Sequence, residues 1–521
     1  MKQAQLWGLS ALLVAGAALP RLTTAAPNGC ATLASLALPD AMITAAEPIA
    51  AGKYPKLEEA MRGRSGLNIA GRVQMDPNPA FCRVAATLKP TSDSDIKIEV
   101  WLPLAGWNGK MLAVGNFGGW AGAGSLMYNG MLTALYGGYA TVSTDTGHGS
   151  SADEQGGRFA LAHPAKVIDY AYRATHLMTV DAKAIIRTFY GKAPARSYMI
   201  GCALGGFEGL VEAKRYPLDY DGIVAGAPHE ALARFSALQM YPDWLISQDP
   251  SRLISQAKYA MIHAAVVKQC ASPIGQKDNL VDEPEKCNFD PGTLLCKGAD
   301  APDCLTAAQV DLMQRIYTGP VNPRTDQVIF PGPARGSELD VYSFANGQTP
   351  TVPVNMFRYL VFHDANWNWK AMDWDKDMTT AIATLHPLTD VDADLAAFFA
   401  HGGKLLLYIG WNDDHNPTEL IDYYQSLVQS AGAAKTKNSL RLFIIPGMGH
   451  CSGGAGCDTF DKLGVLNAWV DQGRKPERIV ASKVENGKVV RTRPLCAWPQ
   501  VTKYNGSGDT NQATNFICSS S

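Results

Sequence analysis

The chain has 521 residues, of which 46% are hydrophobic and 18% charged, enough apolar content to bury a large core and to divide into a main domain with a substantial insertion. A formal net charge of -2 leaves no basic stripe of the kind that a phosphate backbone or an anionic lipid surface requires. Nucleic acid and membrane surfaces are therefore not expected as partners.

The chain opens with Lys2, an apolar run from about Leu6 to Leu19, and small residues from Thr23 to Ala26, the pattern of a secretory signal. The run is short against the roughly 20 residues that a bilayer span needs. A signal peptide over 1–26, cut near Ala25 or Ala26, and a secreted or periplasmic mature protein without an anchor are expected. Eleven cysteines, none in a C-x-x-C pair, fit an oxidising compartment and make disulfides the default reading. Their odd total leaves at least one thiol unpaired within the chain.

From about Ile96 to Pro228, strand-like runs alternate with helical stretches: IKIEVWLPL, KMLAVGNFGG, YATVSTDTG and DGIVAGAP. That alternation predicts an α/β class with a parallel sheet covered by helices. Within it, SYMIGCALGGFEGLVEAKRY runs from a strand through a glycine-flanked corner, Gly201 to Gly206, into a helix from Phe207 to Arg215. This is the outline of a nucleophile elbow, in which the central residue of G-x-S-x-G sits on a strained turn and small neighbours let the backbone bend. The central residue here is Ala203, which has no hydroxyl. A plain glycine-rich turn kept for tight packing is the competing reading.

From about His229 to Leu385 the texture changes to scattered helices, four cysteines, Pro/Gly-rich loops and the aromatic run FRYLVFHDANWNWKAMDW. Long insertions after a strand's C-terminal edge roof the active site of such sheets. Near Asp390 the sheet pattern resumes with KLLLYIGWNDD and RLFIIPGMGH. The expected organisation is an α/β-hydrolase fold with its core at 27–228 and 386–521 and a large inserted lid domain at 229–385.

Such a fold carries its triad in the order nucleophile, acid, histidine, each on a loop after a strand. Position 203, Asp413 and His450 occupy those places in that order. A histidine takes the proton from an attacking hydroxyl and returns it to the leaving alcohol, while a carboxylate fixes its tautomer and stabilises the imidazolium. Asp414 is the less suitable orienter, and His415 reads as a loop residue. An oxyanion hole needs backbone N–H donors; Leu204 and, from the run GNFGGW, Gly118 or Gly119 are the candidates. His148, in the turn STDTGH, reads as a structural hydrogen-bonder.

GNFGGWAG, STDTGH, GCALGG, DGIVAGAP, CLTAAQVDLMQRIYTGPVNPRTDQVIFPG, the GWND corner and GMGHCSGG occur in that order over nearly all of the mature chain. Together they resemble the tannase and feruloyl esterase family, which includes hydrolases of terephthalate monoesters. The resemblance implies a disulfide between Cys202 and Cys451 clamping position 203 beside His450. It also implies the pairs Cys30 with Cys82, Cys270 with Cys287, Cys296 with Cys304, and Cys496 with Cys518, leaving Cys457 over. It implies further an exported serine-type carboxylic ester hydrolase for small feruloyl, galloyl or terephthalate-type aromatic esters, without a cofactor. Phe357, Tyr359, Trp367 and Trp369 are candidates to sandwich the ring, with lid core as their alternative role. Oligomeric state is left open.

Three positions depart from the family pattern. Ala203 stands where the family has serine, so the chain as written is expected to be nearly inactive, or to be a non-catalytic binder of aromatic esters. In CASPIGQKDNLVDEPEKC, Ala271 and Ile274 replace two acids of a calcium-binding segment and Asp278 alone is retained, so no tight calcium site is expected unless Asp282 or Glu283 rearranges. Ile409 replaces a frequent histidine, with no assigned consequence.

Overall fold

A computed structural model describes residues 28–54, 78–118, 120, 124–149, 151 and 156–520. The expected signal segment and Gly119 lie outside the described residues. Nine strands form the main sheet: β1 (Ala41–Ile49), β2 (Phe81–Leu88), β3 (Ile96–Pro103), β4 (Lys110–Val114), β5 (Ala140–Thr144), β6 (Arg196–Cys202), β7 (Gly222–Gly226), β8 (Lys404–Gly410) and β9 (Leu440–Ile445). Their spatial order is β1-β2-β3-β5-β4-β6-β7-β8-β9. The pairs from β1 to β5 are antiparallel, and those from β5 through β4 to β9 are parallel.

The parallel strands are short apolar runs because both of their faces are covered. Alternation assigns each residue to one layer. Met111, Ala113, Met199, Ile223, Ala225, Leu405 and Leu407 pack in one cluster with Phe207, Leu210 and Val211 of the elbow helix, Leu204–Arg215. Leu112, Tyr198, Ile200, Val224, Leu406 and Tyr408 form another with Leu466 and Trp469 of the helix Lys462–Gln472.

The chain leaves the sheet after β7 and returns at β8. Between them lie the helices Leu232–Gln248, Gln256–Cys270, Ala307–Thr318 and Lys376–Thr389. Their starts are specified locally: Ser255 accepts from the Lys258 N–H, and Thr306 with Gln309 closes a reciprocal capping box. All five cysteine pairs expected from the resemblance are bonded, and Cys457 is a buried free thiol.

Four strands, β10 (Arg478–Glu485), β11 (Lys488–Cys496), β12 (Gln500–Tyr504) and β13 (Phe516–Ser520), form two separate antiparallel pairs. Cys496 and Cys518 tie the second pair to the first. Among the described residues no helix is long and apolar enough to cross a membrane.

Candidate active site

Strand β6 runs into the elbow, and Ala203 takes φ 57° and ψ -119°, a conformation that a side chain with a Cβ rarely adopts. The turn is held open by missing side chains. A Cβ on Gly201 would lie 2.3 Å from the Gly205 carbonyl oxygen, and one on Gly205 would lie 2.5 Å from that of Asn116. Backbone bonds fix the corner: the Ala203 N–H donates to Gly226 (3.0 Å) and the Phe207 N–H to Ala203 (3.0 Å). Leu204 opens the helix, so its N–H lies in the first turn, where intrahelical acceptors are lacking. The plain packing turn is thus disfavoured, because the strain falls on Ala203 itself.

The loop after β4 is stitched to the elbow helix. The Gly205 N–H donates to the Asn116 carbonyl at 2.9 Å. Asn116 in turn donates its backbone N–H (2.9 Å) and its side-chain amide (2.8 Å) to the two oxygens of Glu208. Burial pushes the Glu208 carboxyl up to about 7, against the pull of those two hydrogen bonds. This pair escaped the sequence reading. Its signal was a glutamate between glycines and aromatics in a helix whose first two turns are otherwise apolar. Gly118, with φ 93°, follows in the same loop and lines the cavity at the elbow.

Strands β8 and β9 deliver the other two predicted residues. The Asp413 carboxylate is buried and lies 2.9 Å from His450 Nδ1 through Oδ1. Backbone N–H groups of His415 (2.9 Å) and Cys451 (3.4 Å) also donate to it. Asp414 stands further off, with 3.5 Å between its Oδ1 and His450 Nδ1, and burial raises its carboxyl. Burial pulls the His450 imidazolium down. The charge and hydrogen bond of Asp413, joined by the charge of Asp414, outweigh that and hold it at about 9. The bond from Cys202 to Cys451 joins the residues flanking Ala203 and His450.

Two further histidines line the same cavity and differ electrically. Burial pushes His229 down to about 3 and His415 well below its ordinary range. Both are therefore neutral and act as stacking plates. Phe207, His229, Phe235, His415 and His450 form a continuous row with ring centroids 4.7, 5.5, 4.2 and 4.4 Å apart. His415, read from sequence as a loop residue, is the plate against which His450 rests. His148 is buried away from this row, 3.3 Å from the Thr146 hydroxyl through Nδ1 and stacked on Phe159.

The cavity measures about 400 Å³ and brings together Gly118, Ala203, Leu204, Asp414 and His450 with residues of the stretch 343–356 from the segment between β7 and β8. The four aromatics expected to sandwich the ring are placed elsewhere: none of Phe357, Tyr359, Trp367 and Trp369 lines it. Phe357, Phe362 and Trp367 stack on one another, and Tyr359 and Trp369 are buried in the core. The turn Met356–Val361 presents Met356 to the cavity and the next ring to the lid core.

A family profile described as tannase and feruloyl esterase matches residues 82–519. The chain belongs to that family. An uncharacterized esterase of Xanthomonas campestris is 36% identical over 98% of this chain and 95% of its own. The mono(2-hydroxyethyl) terephthalate hydrolase of Piscinibacter sakaiensis is 31% identical over 84% of this chain and 85% of its own. The crystal structure of feruloyl esterase B from Aspergillus oryzae superposes with a TM-score of 0.83 at 26% identity, covering 95% of this chain and all of that one. The fold is that of an α/β-hydrolase, and the family is one of carboxylic ester hydrolases acting on small molecules.

A larger cavity, of about 810 Å³, lies between residues 272–285 and the C-terminal strands. It contains the segment where the family's calcium motif was sought. Asp278 is already engaged there, with Arg491 at 2.7 Å and Arg493 at 2.6 Å, and Asp282 accepts from the Ser272 N–H. A dication does not fit beside two guanidinium groups that share one buried carboxylate. Cys457 lines the same cavity, and burial pushes its thiol up, away from the reactive thiolate.

Proposed function

We propose that the chain is an exported carboxylic ester hydrolase for aromatic esters that lacks only its attacking hydroxyl. The observation that carries this is Ala203: it keeps the strained φ of 57° inside a cavity that also holds His450, which is paired to buried Asp413. A packing turn needs neither the strain nor the dyad.

With serine at 203, the hydroxyl attacks the ester carbonyl as His450 takes its proton, and Asp413 holds the imidazole and stabilises its charge. The developing oxyanion sits against the N–H of Leu204 and of the loop at Gly118. His450 then gives the proton to the departing alcohol, and water repeats the cycle on the acyl-enzyme. Without the hydroxyl, turnover falls by about a millionfold. What supports a reading without calcium is the engagement of Asp278 by two arginines. Five disulfides and the leader-like pattern of residues 1–26 support export.

The test is hydrolysis of methyl ferulate and methyl gallate by this chain and by its Ala203→Ser variant. A gain of several orders of magnitude with serine is the expected result. If the variant stays inert while the ester still binds, the protein is a non-catalytic binder and the roles given to Asp413 and His450 fall.

A further inference from the structure

The cavity at the elbow is acidic. Asp243, on the lid helix Leu232–Gln248, lines it and is 3% exposed, with Oδ1 accepting the Gly347 N–H at 2.7 Å. Burial raises its carboxyl to about 6, against the backbone hydrogen bonds from Gly347 and Asn346, so it is ionised at neutral pH. Asp414 is the second carboxylate of the lining and accepts from the Gln239 amide at 3.0 Å. Among the described residues that line the cavity there is no lysine or arginine. The imidazolium of His450 does not compensate, because Asp413 already faces it at 2.9 Å.

Aromatic acyl groups divide by what the ring carries. The ester named for the Piscinibacter relative has a free carboxylate on its ring; hydroxycinnamate and gallate esters are uncharged and carry phenolic hydroxyls. A second anion placed about 6 Å from a carboxylate in a half-open cavity, with an effective dielectric constant of about 40, is disfavoured by about tenfold. A phenol has the opposite relation to the same group. A carboxylate oxygen offers more acceptor sites than one backbone N–H fills, and a hydrogen bond to an ionised acceptor is among the stronger ones.

We propose that this site selects uncharged, hydroxylated aromatic acyl groups over those bearing a second carboxylate, with Asp243 the residue that accepts the phenolic hydroxyl and repels the anion. The proposal rests on the ester-hydrolase reading of the site and adds to it the class of acyl group.

Because Ala203 leaves an ester intact, the chain as it stands permits equilibrium binding to be measured by calorimetry at about pH 7.5. Three probes separate the contributions: methyl ferulate, methyl 3,4-dimethoxycinnamate, which lacks the phenol, and monomethyl terephthalate, which carries the anion. Methyl ferulate is expected to bind about tenfold more tightly than the dimethoxy ester and on the order of 100-fold more tightly than monomethyl terephthalate. In Asp243→Asn, monomethyl terephthalate should gain about tenfold and the preference for the free phenol should shrink. Equal affinities for the charged and the phenolic ester in the parent chain overturn the proposal, whether or not the variant folds. So does an unchanged ratio in a folded Asp243→Asn. If no aromatic ester binds and Ala203→Ser is also inert, the hydrolase reading falls with it. If Ala203→Ser turns over monomethyl terephthalate as well as methyl ferulate, the selectivity alone falls.

Discussion

His450 is the cavity histidine that carboxylates hold in its charged form, whereas His229 and His415 are buried neutral. A base must be deprotonated to act, so the sign is fixed. In the Ala203→Ser variant, kcat/KM should rise about tenfold per pH unit up to about pH 9 and then level, as read from a pH–rate profile. Removing the charge that raises the imidazolium should move this limb. Asp413→Asn in the serine background is expected to lose about 10⁴ in turnover and to shift the limb to lower pH. A loss of turnover with the limb unmoved would mean that Asp413 does not face the working imidazole. Glu208 titrates in the same direction for another reason. Burial lifts it from 4.5 to about 7, so its share of stability is complete below about pH 4.5 and is lost as pH rises through about 7. The Glu208→Gln protein should therefore gain in stability relative to the parent between about pH 5 and about pH 8, by up to about 3 kcal/mol, as read from denaturant titrations at each pH. Glutamine also fits the geometry: buried Asn116 Oδ1 has no partner, and turning that amide over gives it one.

At the scale of elements, Glu208 couples the elbow helix to the loop that follows β4. Glu208→Ala strands two buried donors on Asn116 and should cost about 2 to 5 kcal/mol in a denaturant titration. In the serine background it should also lower kcat by about 100-fold through a displaced oxyanion loop, and glutamine should restore most of that. The segment between β7 and β8 meets the C-terminal strands through a different device, the Asp278 carboxylate held between Arg491 and Arg493. On the proposed reading without calcium, calcium and chelator should each leave Tm within about 1 °C of the untreated value. Asp278→Asn leaves two partly buried guanidinium groups short of a counter-charge and should destabilise by about 2 to 3 kcal/mol. A calcium-dependent rise in Tm that Asp278→Asn abolishes would reverse this assignment.

For the molecule as a whole, what could be read in the sequence is what local rules determine. Short apolar runs that end in polar corners marked β3 to β9, and the chemistry of strand ends singled out Ala203, Asp413 and His450; Ala203 and His450 line one cavity, and Asp413 bonds His450. Residues whose role depends on a distant partner were hidden. Nothing local to Glu208 says that Asn116 lies above it, and nothing local to Asp243 says that the lid helix turns it toward the elbow. The lid aromatics failed for a related reason. A cluster of rings reads alike whether it faces a ligand or itself, and Phe357, Phe362 and Trp367 face one another. The strands β10 to β13 alternate weakly and are partly exposed, so their separation from the main sheet had no sequence signal.

The bond between Cys202 and Cys451 spans 249 residues and makes a closed ring of chain that contains the entire segment between β7 and β8. Pro323 to Val328 is an exposed stretch of that ring, and every other disulfide lies wholly on one side of it. Trypsin cutting after Arg324 would therefore open the ring without shedding a fragment. The nicked protein should migrate as a single band until a reductant is added, and then as two. Ala203 and His450 would stay tethered across the cut, so a chain cut there by a protease would keep the two halves of its site in register.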